Sequence, residues 1–112
     1  MSEPDSAEVV HRLFAGYLEQ DQDAAEKLIA DPFSFTSPQD DHIDRADYFE
    51  KCFPTASRVR RQKLLRVAVT GDDVFVMYEY ELLTGEVHRN AELLTVRDGQ
   101  VVEVQVFFGG RY

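Results

Sequence analysis

HRNAELLTVRDGQVVEVQVFF, residues 88–108, is the stretch of sequence that decides the fold. Apolar and polar residues alternate on both sides of Asp98-Gly99, and an Asp-Gly pair between two such runs is among the strongest local signals for a β-hairpin. Glycine adopts the positive φ of a tight turn at no steric cost. The stretch therefore predicts two long antiparallel strands that are joined at Asp98-Gly99.

The two faces of this hairpin differ in chemistry, because successive side chains of a strand point to opposite sides of the sheet. One face of the second strand is wholly apolar, with Val102, Val104, Val106 and Phe108. The facing row of the first strand holds His88, Asn90, Glu92, Leu94 and Val96. Burying polar groups without a partner is costly. An imidazole, an amide and a carboxylate on an apolar wall therefore predict a functional site.

The remaining sequence predicts helices followed by strands. Capping residues and apolar spacing indicate three helices, from Asp5 to about Gln20, from Asp23 to Asp31-Pro32, and from Asp44 to near Pro54. Between the last two, alternation predicts a short strand, Phe33–Ser37, and then a loop over residues 39–43. From Arg58 onward the pattern is that of strands, with Lys63–Thr70 and Val74–Leu83 preceding the hairpin.

This order of elements predicts an α+β fold. Three N-terminal helices would pack on one face of a strongly curved antiparallel sheet, and such a cone can hold a cavity. No linker, repeat or low-complexity segment interrupts the pattern, so residues 1–112 are interpreted as a single domain.

Composition narrows the classes of partner. The formal net charge of −9 argues against nucleic acid, which requires a basic surface, and against anionic membranes. The single cysteine, Cys52, excludes an internal disulfide, and no apolar run is long enough to span a membrane. The acidic N-terminus lacks the pattern of a signal peptide, so we expect a cytoplasmic protein.

Three segments carry a family resemblance: DPFSFTSP, the DDHIDRADYFEKCFP that follows it, and the closing RNAELLTVRDGQVVEVQVFFG. With the order of elements, they resemble the SnoaL-like branch of the nuclear transport factor 2-like superfamily, the cystatin-like α+β cone. The resemblance covers nearly the whole chain. It implies a polar site inside an apolar cone, as in ketosteroid isomerases, polyketide cyclases, small dehydratases and epoxide hydrolases.

The resemblance also implies roles for individual residues. The isomerases place a general-base Asp before a Pro at the end of the first strand, where this chain has Ser37, which cannot be that base. They keep a carboxylic acid on the penultimate strand, where this chain has Glu92. Tyr17 is the analogue of their first-helix tyrosine.

Glu92 is the strongest candidate for a catalytic role. Burial among Leu94, Val104 and Val106 would raise the pKa of its carboxyl group. A neutral acid could then donate a hydrogen bond to a ligand oxygen, and an ionised one could accept a proton. The alternative is a structural glutamate that pairs with an arginine or with a tyrosine hydroxyl.

His88 and Asp41 are the candidates for a base. His88 shares the face of Glu92, and an imidazole suits acid-base chemistry, although a solvated position near the Gly85 turn is the alternative. Asp41 stands beside Asp40 in the predicted loop. Either carboxylate would reach the mouth of the cone if the loop folds inward, and a solvated loop is the alternative.

A wider set of residues is expected to line the pocket. Tyr78 and Tyr80 alternate with Glu79 and Glu81, so the acidic pair should face water and the tyrosines should face inward. The predicted ligand-binding residues are Tyr17, Phe35, Ser37, Tyr48, Tyr78, Tyr80, Asn90, Val106 and Phe108.

No metal or cofactor is expected. Asp40, Asp41, His42 and Asp44 have the chemistry of metal ligands, but Asp44 is needed as a helix cap and no second cluster of ligands exists elsewhere. No Gly-rich phosphate loop occurs. Two hypotheses remain open: an acid-base enzyme for a small apolar molecule, and a non-catalytic module that binds a ligand or a protein partner.

A homodimer through the outer face of the sheet is expected. That face would carry Leu93, Val101, Phe107, Phe75 and Met77, with Glu79, Glu81 and Glu103 as a polar rim. The helices would cover only the concave side. The resemblance implies the same assembly, since related cone-shaped proteins commonly dimerise through this face.

Overall fold

Helices and strands follow each other in the predicted order in the computed structural model, which describes residues 5–111. Helices α1 (Ser6–Leu18) and α2 (Gln22–Leu28) precede strands β1 (Ile29–Ser37) and β2 (Asp40–Ile43). A helical segment over residues 45–58 follows, as one α-turn (Arg45–Asp47), a π-helix (Tyr48–Cys52) and a 3-10 helix (Phe53–Arg58). The chain ends with β3 (Val59–Thr70), β4 (Asp73–Leu82), β5 (Val87–Arg97) and β6 (Gln100–Arg111).

The six strands form one sheet in the order β2-β1-β6-β5-β4-β3. The hairpin of β5 and β6 is confirmed: both turn residues have positive φ, 52° at Asp98 and 75° at Gly99. The α+β fold with helices on the sheet is likewise confirmed. One pairing differs from the antiparallel expectation, since β1 runs parallel to β6. β1 enters the sheet from the helical layer rather than through a hairpin, so no turn forces an antiparallel direction.

Two predicted boundaries near the first strand differ from the structure. The side chain of Asp21, not Asp23, caps α2 by accepting a hydrogen bond from the Ala24 amide, and β1 already begins at Ile29. The predicted loop over residues 39–43 contains β2, which pairs with β1 through Phe35 and Ile43. A strand of four residues is too short to show a recognisable alternation.

A bulge in β6 overturns one predicted orientation. Thr95 pairs with Glu103 and Val96 with Val101, so β6 has one extra residue, Val102, at this point. The bulge reverses the alternation. Val101 therefore points inward and is fully buried, so its predicted place on the outer face is wrong.

The hydrophobic core lies between the sheet and the helical layer. Val9, Val10, Leu13 and Phe14 of α1 pack over the inner face of the sheet. The buried residues of that face include Leu94 of β5, Val74 and Val76 of β4, and Val101, Val104 and Val106 of β6. Within residues 5–111 no helix is long and apolar enough to cross a membrane.

Replacing Leu94 with Ala should destabilise the protein strongly, because the Leu94 side chain is fully buried at the centre of the core. The variant should lose about 2–5 kcal/mol of unfolding free energy in urea denaturation, from lost burial and the cavity that remains. Leu83→Ala is the matched control, since Leu83 is 57% exposed and should change stability by less than about 0.5 kcal/mol. Equal losses in the two variants would contradict this assignment of the core.

Candidate functional site

A cavity of about 340 Å³ lies between the inner face of the sheet and the helices. Its wall is largely aromatic and aliphatic, with a few polar groups, which is the usual character of a small-molecule site. The wall includes Glu92 and every residue predicted to contact a ligand: Tyr17, Phe35, Ser37, Tyr48, Tyr78, Tyr80, Asn90, Val106 and Phe108.

Glu92, Tyr78 and Asn90 are brought together by the register of β4 and β5. Tyr78 lies directly opposite Asn90, and Glu92 is two residues further along β5, so all three side chains share the inner face. The Tyr78 hydroxyl donates a hydrogen bond of 2.5 Å to Glu92 Oε2, and Asn90 Nδ2 donates to the Tyr78 oxygen at 3.3 Å. The Gly109 amide donates to Asn90 Oδ1 at 3.4 Å.

This chain of hydrogen bonds has a fixed direction. The Asn90 carbonyl oxygen is occupied by the backbone of β6, so its amide nitrogen is turned toward Tyr78. Because Tyr78 accepts from Asn90, its own proton is free to point at Glu92. The arrangement holds the Glu92 carboxyl group in one orientation at the cavity wall.

The pKa of Glu92 is raised from 4.5 to about 7. Burial among protein atoms disfavours the ionised carboxylate and is the dominant cause, while the hydrogen bond from Tyr78 acts in the opposite direction. The side chain is nevertheless only half-buried with respect to solvent, since part of it faces the cavity. No cation pairs with Glu92 within residues 5–111. Near neutral pH the group is therefore divided between a form that donates a proton and a form that accepts one.

Removing the Tyr78 hydroxyl should raise the pKa of Glu92 above about 7, because its hydrogen bond favours the ionised carboxylate. An NMR titration of the carboxyl carbons in Tyr78→Phe would measure the shift. Tyr80→Phe is the matched control, since Tyr80 lines the same cavity and makes no hydrogen bond to Glu92. A Glu92 pKa that is unchanged in Tyr78→Phe would contradict the proposed direction of the hydrogen bond.

Two further tyrosines differ in how their hydroxyl groups are engaged. The Tyr17 hydroxyl is 2.6 Å from Thr55 Oγ1, and Thr55 itself donates to the Cys52 carbonyl oxygen, so Tyr17 is the donor. The Tyr48 hydroxyl makes no hydrogen bond within residues 5–111. Burial raises the pKa of both hydroxyl groups, so both remain neutral donors. The Tyr48 hydroxyl is available to donate a hydrogen bond to a ligand.

The structure does not bring the two predicted bases into the cavity. His88 lies outside its wall, where its ring stacks on Tyr80 with centroids 5.4 Å apart and its Nε2 is 3.9 Å from Glu86. The Asp41 side chain is 91% exposed and pairs with His42. Because Asp40 and Asp41 are consecutive in β2, they point to opposite sides, and Asp40 is the one that lines the cavity.

Asp40 is held by two neighbouring donors. Ser37 Oγ lies 3.5 Å and Cys52 Sγ 3.8 Å from its Oδ2 atom. Burial and the nearby Asp40 carboxylate together raise the pKa of Cys52 to about 11, so the thiol stays protonated and is not activated as a nucleophile. Within residues 5–111 no group of three His, Cys, Asp or Glu side chains is placed to hold a metal ion.

Several wall residues were not predicted, among them Gln39, Lys51, Arg58, Val59 and Gln62. Gln62 reaches across to α1, where its amide donates to the Phe14 carbonyl oxygen at 2.8 Å. β3 has an extra residue between Val59 and Arg61 and another between Leu64 and Arg66, and these shifts break its alternation. Residues 58–63 are also mostly polar and charged, so their composition does not predict that they line a cavity.

The SnoaL-like domain family matches residues 10–104 of this sequence. The chain belongs to the SnoaL-like family. Its fold is that of the nuclear transport factor 2-like proteins, as the solved structures below also show. No functionally curated protein matches the sequence.

Three solved structures share the fold of this SnoaL-like chain at low sequence identity. An NTF2-like protein of unknown function from Mesorhizobium loti has a TM-score of 0.78 and 24% identity, with 96% of this chain and 98% of that chain covered. A de novo designed protein with a curved β-sheet has a TM-score of 0.82 and 17% identity, with coverage of 96% and 88%. An LEH-like epoxide hydrolase from M. tuberculosis has a TM-score of 0.77 and 16% identity, with coverage of 92% and 81%.

Proposed function

We propose that this SnoaL-like domain binds a small, mostly apolar molecule in its cavity and exchanges a proton with it through Glu92. The observation that carries the proposal is the state of Glu92 itself. It is a carboxyl group without an ionic partner in residues 5–111, it faces an open aromatic cavity, and its pKa is about 7. Perturbed carboxyl groups in clefts are enriched at functional sites.

The neighbouring groups support acid-base chemistry. Neutral Glu92 would donate its proton to a ligand oxygen, and ionised Glu92 would take a proton from a ligand carbon or from water. The Tyr48 hydroxyl is the available orienting donor, and Asp40 is a second carboxylate on the same wall. Isomerisation, cyclisation, dehydration and hydrolysis all fit this set, and one protein of the same fold is described as an epoxide hydrolase.

Two simple substrates would test the proposal without knowledge of the natural one. In D₂O, a base that removes an α-proton from α-tetralone gives an enolate that regains a deuteron, and NMR follows this exchange. Styrene oxide reports acid-assisted ring opening by water. We expect wild-type protein to accelerate one of the two reactions and Glu92→Gln to abolish the acceleration. Absence of both binding and turnover with the two compounds would overturn the proposal.

The alternative function is a non-catalytic module that binds a ligand or a protein through the same cone. It is favoured by one observation, that the hydrogen bond from Tyr78 already gives Glu92 a partner within the protein. Binding of both compounds with no exchange and no ring opening would support this alternative over the enzyme.

We also propose that the protein acts as a homodimer through the outer face of the sheet, without nucleic acid or membrane partners, in the cytoplasm. The net charge of −9 supports the exclusion of polyanionic partners. The dimer is supported by apolar side chains that remain exposed on that face, Phe75, Met77 and Phe107.

A further inference from the structure

The opening of the cavity carries positive charge. Four wall residues are also exposed to solvent and so mark where the cavity meets it: Gln39, Lys51, Arg58 and Phe108. Lys51 and Arg58 both come from the helical segment over residues 45–58. Two cations thus flank the entrance to a wall that is otherwise mostly apolar.

Neither cation has a carboxylate partner in the part of the chain that the structure describes. Lys51 and Arg58 form no ion pair within residues 5–111, whereas the next two basic residues, Arg60 and Arg61, both pair with Glu81 at 3.2 and 2.6 Å. This contrast occurs in a chain of net charge −9, in which carboxylates are abundant. Unpaired charges of one sign at a cleft attract a ligand of the opposite sign.

Neither carboxylate of the wall, Asp40 or Glu92, forms an ion pair with Lys51 or Arg58. Asp40 Oδ2 instead receives hydrogen bonds from Ser37 and Cys52. Glu92 accepts a hydrogen bond from Tyr78 and lies beside the fully buried Leu94, on the inner face of the sheet. The cavity therefore has a mostly apolar wall, with Glu92 on the inner face of the sheet, and a cationic opening.

We propose that the ligand is an apolar molecule with a single anionic group, which is held at the opening by Lys51 and Arg58 while the apolar body lies against the aromatic wall. This inference rests on the proposed function, because it names the class of ligand for the same cavity. The anionic group and the position that exchanges a proton with Glu92 then lie at opposite ends of the ligand.

Two fluorescent probes with one scaffold test this inference. Anilinonaphthalene sulfonate carries one anionic group, and N-phenylnaphthylamine is its neutral counterpart. We expect the two probes to compete for one site on the wild-type protein, with the anionic probe favoured. In the double variant Lys51→Gln/Arg58→Gln, affinity for the sulfonate should fall by about 3- to 10-fold, while affinity for the neutral probe stays constant. Added salt should weaken sulfonate binding alone.

Lys27→Gln/Lys63→Gln is the matched control. It makes the same change in net charge at exposed lysines that do not line the cavity, and it should leave the preference for the sulfonate intact. Competing probes with equal affinities, or an equal loss in the two double variants, would overturn the inference and leave the proposed function standing. Failure of both probes to bind, together with no turnover of tetralone or styrene oxide, would instead overturn the proposed function itself.

Discussion

Glu92→Gln should be more stable than the wild-type protein above about pH 7 and equally stable below pH 4.5. The reason is the direction of the pKa shift. Between these two values the unfolded chain has released the Glu92 proton and the folded protein still holds it, so the stability of the wild type falls as pH rises. The glutamine side chain of the variant cannot ionise, and its oxygen can still accept the hydrogen bond from Tyr78, so the variant avoids this loss.

The expected difference in stability between Glu92→Gln and the wild type follows from the pKa shift of Glu92. A rise from 4.5 to about 7 corresponds to about 3 kcal/mol, and about 2 kcal/mol is a fairer expectation because part of the side chain faces the cavity. Urea denaturation of both proteins across this pH range would measure it. Glu50→Gln is the control, because Glu50 is exposed and makes no ion pair in the described residues, and its stability should follow the wild type.

The same variant separates a functional glutamate from a structural one. A structural Glu92 would be ionised in the folded protein, and Glu92→Gln would then be less stable than the wild type at neutral pH, because a partner would lose its charged acceptor. If Glu92 is functional, Glu92→Gln would be more stable than the wild type at neutral pH. It would neither exchange the α-protons of α-tetralone nor open the ring of styrene oxide. Such a gain of stability on loss of function is expected where a site is kept in an unfavourable environment for its chemistry.

Local pattern was sufficient for the hairpin and for the inward row on β5. Asp98-Gly99 fixes the turn, and parity along the strand puts Asn90 and Glu92 on the cavity wall. Parity fails wherever a strand has an extra residue. Val101 points inward because of the bulge at Val102, and the alternation of apolar and polar residues does not predict this bulge.

The remaining differences arise from contacts between residues distant in sequence. The parallel pairing of β1 with β6 joins Phe35 to Val104, and no local signal encodes it. β2 has only four residues, so its sequence does not show which side chains face inward; the predicted base is Asp41, whereas Asp40 lines the cavity. His88 has the correct parity, but it lies beyond the cavity and stacks on Tyr80. Alternation along a strand predicts the face on which a side chain lies. It does not predict how far along the strand the cavity extends.

The outer face of the sheet presents an apolar row that crosses three strands. Met77 of β4, Ala91 of β5 and Phe107 of β6 are directly opposite one another, and Phe75 lies beside Leu93 in the adjacent row. Phe107 is 54% exposed, Phe75 50% and Met77 40%, although the helices cover the other face. At the margin, acidic residues are paired with arginines, as in the Glu79–Arg89 pair at 3.0 Å. An apolar centre with a charged margin is the usual composition of an interface.

Phe107→Glu should therefore convert a dimer into a monomer. In a two-fold interface through this face each substitution is present twice, so the variant would bury two carboxylates without partners. A cost of about 3 kcal/mol or more corresponds to a rise of about 100-fold or more in the dissociation constant. Light scattering at micromolar concentration should give twice the 12.9 kDa chain mass for the wild type and the chain mass itself for the variant.

Leu83→Glu is the control for added charge, because Leu83 is 57% exposed and lies outside β4, next to the turn before β5. It should remain a dimer. Both variants should bind N-phenylnaphthylamine as the wild type does, since the cavity is on the opposite face of the sheet from Phe107. A wild-type protein that is monomeric at micromolar concentration, or a Leu83→Glu variant that dissociates as readily as Phe107→Glu, would refute an interface on this face.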